Sequence, residues 1–130
     1  DYGCGSGILA IAALKLGAGK AIGVDIDARA ITVSHENAKT NAVASQFNAC
    51  LPAKLEPDLQ ADFVVANILA EPLMALAPAL EKLVAQSGQL ALSGLLETQV
   101  EQVQNYYQHT FDLELHTKDG WAILAGPRKL

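Results

Sequence analysis

Three glycines alternate at the start of the chain, in Asp1-Tyr2-Gly3-Cys4-Gly5-Ser6-Gly7, and Gly23-Val24-Asp25-Ile26-Asp27 sets an aspartate eighteen residues after Gly7. Alternating glycines remove side chains from a bend where a strand turns sharply into a helix, so a ligand can lie against bare backbone. An acid at the tip of the next strand stands where the hydroxyls of a nucleoside ribose would come. Together the two segments read as an alternating strand and helix fold suited to a nucleoside-containing ligand.

The rest of the sequence keeps that alternation. Asp1-Tyr2 reads as a strand stub, and Ser6 is placed to cap a helix over residues 7–16 that Gly17 stops. In that helix Ile8, Ile11, Ala12 and Leu16 are expected to face the sheet. A second strand over 20–24 ends at Asp25, and Asp27 is placed to cap a helix over 28–40 with Ile31, Ser34 and Ala38 inward. Residues 46–51 and 61–66 read as strands, the latter ending at Asn67. Leu73, Leu76, Leu80 and Leu83 recur at helical spacing, but Pro78 predicts a kink or two short helices. Ser87-Gly88 turns into a strand over 89–93, and 97–109 reads as a helix with Val100, Val103 and Tyr107 buried. Strands over 111–117 and 121–125 flank Lys118-Asp119-Gly120, a hairpin signal. A plain dinucleotide fold does not need that hairpin.

Composition narrows the class. The 130 residues suit one domain, and 51% hydrophobic with 18% charged residues suits a parallel sheet buried between helices. Nine basic against fourteen acidic residues give a net charge of −5, with no basic cluster to meet a nucleic-acid backbone. Cys4 and Cys50 have no metal-ligand spacing and read as small buried residues, not a disulfide. His35, His109 and His116 are scattered over expected surfaces. No apolar run approaches the roughly 20 residues of a membrane span, and no signal peptide is visible. The chain starts on the last residue of its first expected strand, so a fragment of a longer protein is expected.

The spacing Gly3-x-Gly5-x-Gly7 is an imperfect match to the G-x-G-x-x-G of nicotinamide dinucleotide folds, because Ile8 holds the place of the third glycine. No Gly-Lys-Ser/Thr follows, which removes the nucleoside triphosphate loop. The G-x-G-x-G turn, the acid after the second strand and the final hairpin resemble the class I S-adenosylmethionine-dependent methyltransferases. Phe63-Val64-Val65-Ala66-Asn67-Ile68-Leu69-Ala70 is similar to the fourth motif of the ribosomal protein L11 methyltransferases. Residues 5–18 and Leu92-Ser93-Gly94-Leu95-Leu96 read like the same family.

That resemblance implies a doubly wound, mostly parallel α/β sheet of seven strands in the order 3-2-1-4-5-7-6, the last antiparallel and the first truncated. It implies S-adenosyl-L-methionine as donor and amines of ribosomal protein L11 as acceptors, in the cytoplasm, with no direct nucleic-acid or membrane partner. Carried over residue by residue, the donor site is Gly3, Asp25 and Asn67; Gly5 by its bare backbone and Ile26 beside Asp25 complete the expected cofactor set, and Asn67 is the one catalytic candidate. No metal is implied. Two other readings stand beside it: an NAD-dependent oxidoreductase domain, and a non-catalytic fragment. Single residues also have plainer roles. The glycines could make only a tight turn, and Asn67 could only cap the next helix. Asp27 reads as a cap, Glu71 as either a residue of the acceptor mouth or a first-turn acid, and Trp121 as hairpin or core packing rather than a base-stacking platform.

Overall fold

A computed structural model describes residues 1–130, which divide into two compact units, Asp1–Pro57 and Asp58–Leu130. In the first unit α1 (Ile8–Lys15) is followed by β1 (Ala21–Val24), α2 (Ala28–Thr40) and β2 (Phe47–Cys50). The two strands are parallel, with Ala21 opposite Phe47 and Val24 opposite Cys50. Asp1–Gly3 runs along the other edge of β1: the Val24 amide donates to the Asp1 carbonyl at 2.9 Å, and the Gly3 amide to the Val24 carbonyl at 2.7 Å. Ala10, Ile11 and Leu14 of α1 pack with Ala38, Val43, Phe47 and Ala49 to form the core of this unit.

Two expectations for α1 fail for identifiable reasons. Ser6 does not cap it. Gly7 occupies the cap position with φ +82°, and the Asp1 carboxylate instead accepts from the Ala10 amide at 3.1 Å. A strand-end acid thus does across the fold what a local serine was expected to do. The buried face is also rotated: Ala10, Ile11 and Leu14 point inward, whereas Ile8 and Leu16 are exposed. Residues 8–14 are all apolar, so periodicity carried no information about which side turns in. By contrast α2 is amphipathic, and Ser34 and Ala38 are buried as expected. Asp27 caps it, accepting from the Arg29 amide at 2.9 Å. The Arg29 guanidinium beside it holds the Asp27 carboxyl below the usual carboxylate range.

In the second unit β3 (Ala61–Asn67) leads to α3 (Ala70–Ala75), α4 (Ala77–Leu83), β4 (Val84–Leu96), α5 (Val100–Gln104), β5 (Glu114–Lys118) and β6 (Trp121–Pro127). The sheet order is β3-β4-β6-β5. β3 and β4 are parallel, and β6 runs antiparallel to both its neighbours. One sheet face presents Val64, Ala66, Leu90, Leu92 and Leu124, all buried, and Leu73, Leu80, Val103 and Tyr107 complete this core. Pro78 does split its helix in two, with Leu76 at the junction. The hairpin turn is where its sequence put it. Asp119 and Gly120 have φ of +53° and +83°, the pair of left-handed residues that a two-residue turn between twisted strands requires.

Other boundaries differ. β4 begins at Val84, before the expected Ser87-Gly88 turn, with an irregular pairing against β3 between Ala61 and Phe63. The helix expected over 97–109 is a 3-10 turn over Glu97–Gln99, the five-residue α5 and further turns. The seven-stranded single sheet is corrected to six strands in sheets of two and four. Asp1–Gly3 makes one bridging pair, Tyr2 with Val24, and Gly3 then bends away with φ +76°. No helix is long and apolar enough to cross a membrane.

Candidate functional site

The glycine turn and Asp25 are brought together in the first unit. Gly3, Gly5 and Gly7 have φ of +76°, +52° and +82°. Three left-handed residues within five explain by themselves why side chains are excluded, since each would cost an ordinary residue about 1–2 kcal/mol. The glycines are therefore demanded by the turn before any ligand is considered. Their environments still differ. A Cβ on Gly7 would lie 3.0 Å from the Ser34 Cβ, so Gly7 lets α1 approach α2. A Cβ on Gly5 would meet nothing within 4 Å, so the space above Gly5 is open.

The hydrogen bonds of the turn decide its chemical character. The Gly3 amide is spent on the Val24 carbonyl, and the Gly7 amide on the Cys4 carbonyl at 2.8 Å. The Gly5 amide donates to Asp25 Oδ2 at 2.9 Å, and the Asp27 amide to Asp25 Oδ1 at 2.9 Å. None of the three glycine amides remains to receive an anion. Two carboxylates, Asp1 on the Ala10 amide and Asp25 on the Gly5 amide, flank the turn instead. A pyrophosphate would meet that negative charge, whereas an ammonium, a sulfonium or a pair of hydroxyl donors would be attracted to it. Asp25 keeps unused lone pairs, since a carboxylate has about four acceptor sites and two are taken. Ile26 follows it, highly exposed.

Cys4 lies buried under the turn, and burial, then the neighbouring Asp25, pushes its thiol up. A Cβ on Gly23 would lie 2.8 Å from the Cys4 sulfur, so Gly23 on β1 makes the room for it. Both cysteines are free. His35 is not a loose surface residue. Nδ1 lies 2.9 Å from the Ile31 carbonyl, the Ala49 amide donates to Nε2 at 3.2 Å, and the ring stacks edge-on against Phe47. It covers an edge amide of β2, a structural task.

Asn67 ends β3 in the second unit and is exposed. It lines a cleft of about 440 Å³ with Ile68, Leu69, Ser93, Gly94 and Trp121. Gly94 shapes this cleft. It has φ +87° at a bulge where β4 shifts register against β6 between Leu92 and Leu95. A Cβ there would lie 2.4 Å from the Ile68 carbonyl oxygen and 3.0 Å from Asn67 Oδ1. Only glycine lets the backbone come this close to the asparagine. Asn67 makes no capping bond to α3, whose cap position is Leu69. Trp121, expected in packing, is 55% exposed and walls the cleft. The signal was ambiguous because β6 is apolar on both faces, Ala122 and Leu124 pointing in and Trp121 and Ile123 pointing out. Glu71 stands in the first turn of α3 and lines an adjoining groove of about 590 Å³ with Leu69, Pro72, Leu96 and Trp121. No group of three or more His, Cys, Asp or Glu side chains is placed to hold a metal ion.

Comparison with known proteins gives this geometry a family. The sequence model described as "Ribosomal protein L11 methyltransferase (PrmA)" matches residues 1–129. A protein of that name from Shewanella sediminis is 54% identical over 130 residues, 99% of this chain and 44% of the relative. One from Aliivibrio fischeri is 52% identical over the same shares. The chain thus spans less than half the length of these curated relatives. The solved structure of ribosomal protein L11 methylase from Lactobacillus delbrueckii subsp. bulgaricus matches at TM-score 0.85 and 34% identity, over 100% of this chain and 69% of that one. An RNA methyltransferase from Salinibacter ruber, solved with S-adenosyl-L-homocysteine, matches at TM-score 0.76 and 19% identity, over 98% of this chain and 77% of that one, and speaks to the fold alone. The oxidoreductase reading finds no support among these matches. With its glycine turn, its aspartate and its Asn-Ile-Leu-Ala cleft all inside the matched span, the chain belongs to the ribosomal protein L11 methyltransferase family.

Proposed function

We propose that this chain carries the donor and acceptor machinery of a cytoplasmic S-adenosyl-L-methionine-dependent N-methyltransferase that modifies lysine side-chain or N-terminal amines of ribosomal protein L11. One observation carries the choice of donor: the glycine amides are consumed internally and two carboxylates flank the turn. Such a turn suits a ligand with an α-ammonium, a sulfonium and a ribose diol, and it disfavours a pyrophosphate. The donor, when bound, supplies a methyl group already activated on a sulfonium. Gly3 and Gly5 would offer backbone to its methionine portion, Asp25 would accept from the ribose, and Ile26 would stand against its nucleoside.

The work left to the protein is alignment and exclusion of water. The acceptor nitrogen must be neutral, and for a free lysine at pH 7 that costs about 4.6 kcal/mol. A desolvating cleft lowers this cost. Asn67 can accept a hydrogen bond from the amine through Oδ1 and so aim the lone pair, but it cannot take a proton at neutral pH. The proton leaves to solvent. Asn67→Ala in the complete gene product should lower kcat for L11 methylation by about tenfold to a hundredfold, one or two lost oriented hydrogen bonds, with the melting temperature nearly unmoved. Parallel losses of rate and stability would reduce Asn67 to a structural residue.

A further inference from the structure

We propose that Trp121 is a positioning residue for the acceptor, its indole walling the alkyl stem of an amine-bearing side chain that enters past Glu71 and ends at Asn67. The inference rests on the methyltransferase reading above and assigns that site a residue and an entry route. Trp121 lines both the Asn67 cleft and the adjoining groove, which share Leu69 and Gly94 as well. The two hollows therefore meet at one indole. Leu69 and Leu96, also exposed, make the groove apolar, and Glu71 is the acid among its lining residues. An apolar channel with an aromatic wall and a carboxylate is complementary to a lysine-like side chain, four methylenes behind a cation. It is not complementary to an anionic or nucleotide acceptor. The strand context makes the exposure of Trp121 specific: its neighbour Ala122 is buried, and the β4–β6 pairing sets Trp121 opposite Leu96 beside the Gly94 bulge. The bulge that brings backbone against Asn67 thus also fixes the strand position that carries the indole.

In the reaction the neutral amine nitrogen forms a bond to the methyl carbon while the carbon–sulfur bond breaks, the electron pair stays on sulfur, and the new ammonium loses its proton to solvent. Trp121 takes no part in bond making. It holds the stem and keeps water from the nitrogen. The test uses the complete gene product that carries this sequence, with purified ribosomal protein L11 as acceptor. Trp121→Ala should raise the KM for L11 about tenfold, the loss of one aromatic contact, with kcat little changed. Trp121→Phe should recover most of it. The affinity for S-adenosyl-L-homocysteine, read by calorimetry, should not move in either. Ile123→Ala, exposed on the same strand outside the cleft, should leave KM unchanged, and Glu71→Gln should raise it on the soluble surface of α3 even if the indole variants fold poorly. An unmoved KM in Trp121→Ala and Glu71→Gln, an equal rise in Ile123→Ala, or a matching loss of donor affinity would overturn the assignment. Wild-type protein that binds the donor but leaves L11 unmethylated would remove the functional reading and this inference together.

Discussion

At the scale of single residues, a side chain proposed to face the ligand also holds the fold. The place of Asp25 after a strand suggested a ribose acceptor, a role that stays a proposal, but gave no sign of the clamp that holds the Gly5 and Asp27 amides. That second task depends on where the chain returns in space, which no local pattern encodes. The glycine turn was legible as glycine-requiring, yet its reason lay in the left-handed backbone of all three residues. Ala42 shows the converse case. The Val43 amide reaches the Ala38 carbonyl at 2.9 Å and the Ala42 amide the Lys39 carbonyl at 3.0 Å, closing α2 with a left-handed residue at φ +59°. That position favours glycine, and α1 places Gly17 there at φ +111°. Ala42→Gly should therefore stabilise the protein by about 0.5–1 kcal/mol, relief of the left-handed strain less the extra freedom of glycine in the unfolded chain. A denaturant midpoint that falls would show that the strain is absent.

At the scale of elements, amphipathic segments were readable and uniformly apolar ones were not. The α2 face followed from Ser34 and Ala38, whereas α1, apolar throughout its first turns, turned a different side inward from the one expected. Pro78 announced the break between α3 and α4, but not its repair. The buried Tyr107 hydroxyl donates to the Leu73 carbonyl at that break. Burial, and then the charge of Glu81, raise the Tyr107 phenol well above its ordinary value. Tyr107→Phe should cost about 1–3 kcal/mol by leaving a buried carbonyl without a donor. The sign of the pH effect follows. A phenol whose folded pKa is raised stabilises the fold fully below the unfolded value near 10 and loses that contribution as pH climbs further. Urea midpoints measured from pH 8 to 11 should fall steeply above about pH 10 in the wild type and less so in Tyr107→Phe. Identical slopes would mean that the phenol does not couple to folding.

At the scale of the whole molecule, the order of strands and helices was largely present in the sequence, because apolar runs, caps and turn residues punctuate it locally. What local signals missed was set by contacts distant in sequence: the Asp1 cap on α1, the Gly94 bulge against Ile68 and the outward face of Trp121. The donor assignment belongs to this scale too, since it rests on acids from two strand ends meeting one turn. Calorimetric titration of the complete gene product with S-adenosyl-L-homocysteine and with NAD tests it most directly. The first should bind saturably and the second not at all, with an affinity about 10- to 150-fold weaker in Asp25→Ala, the loss of hydrogen bonds to a charged group. Binding of NAD in place of S-adenosyl-L-homocysteine, or an affinity untouched by Asp25→Ala, would contradict it.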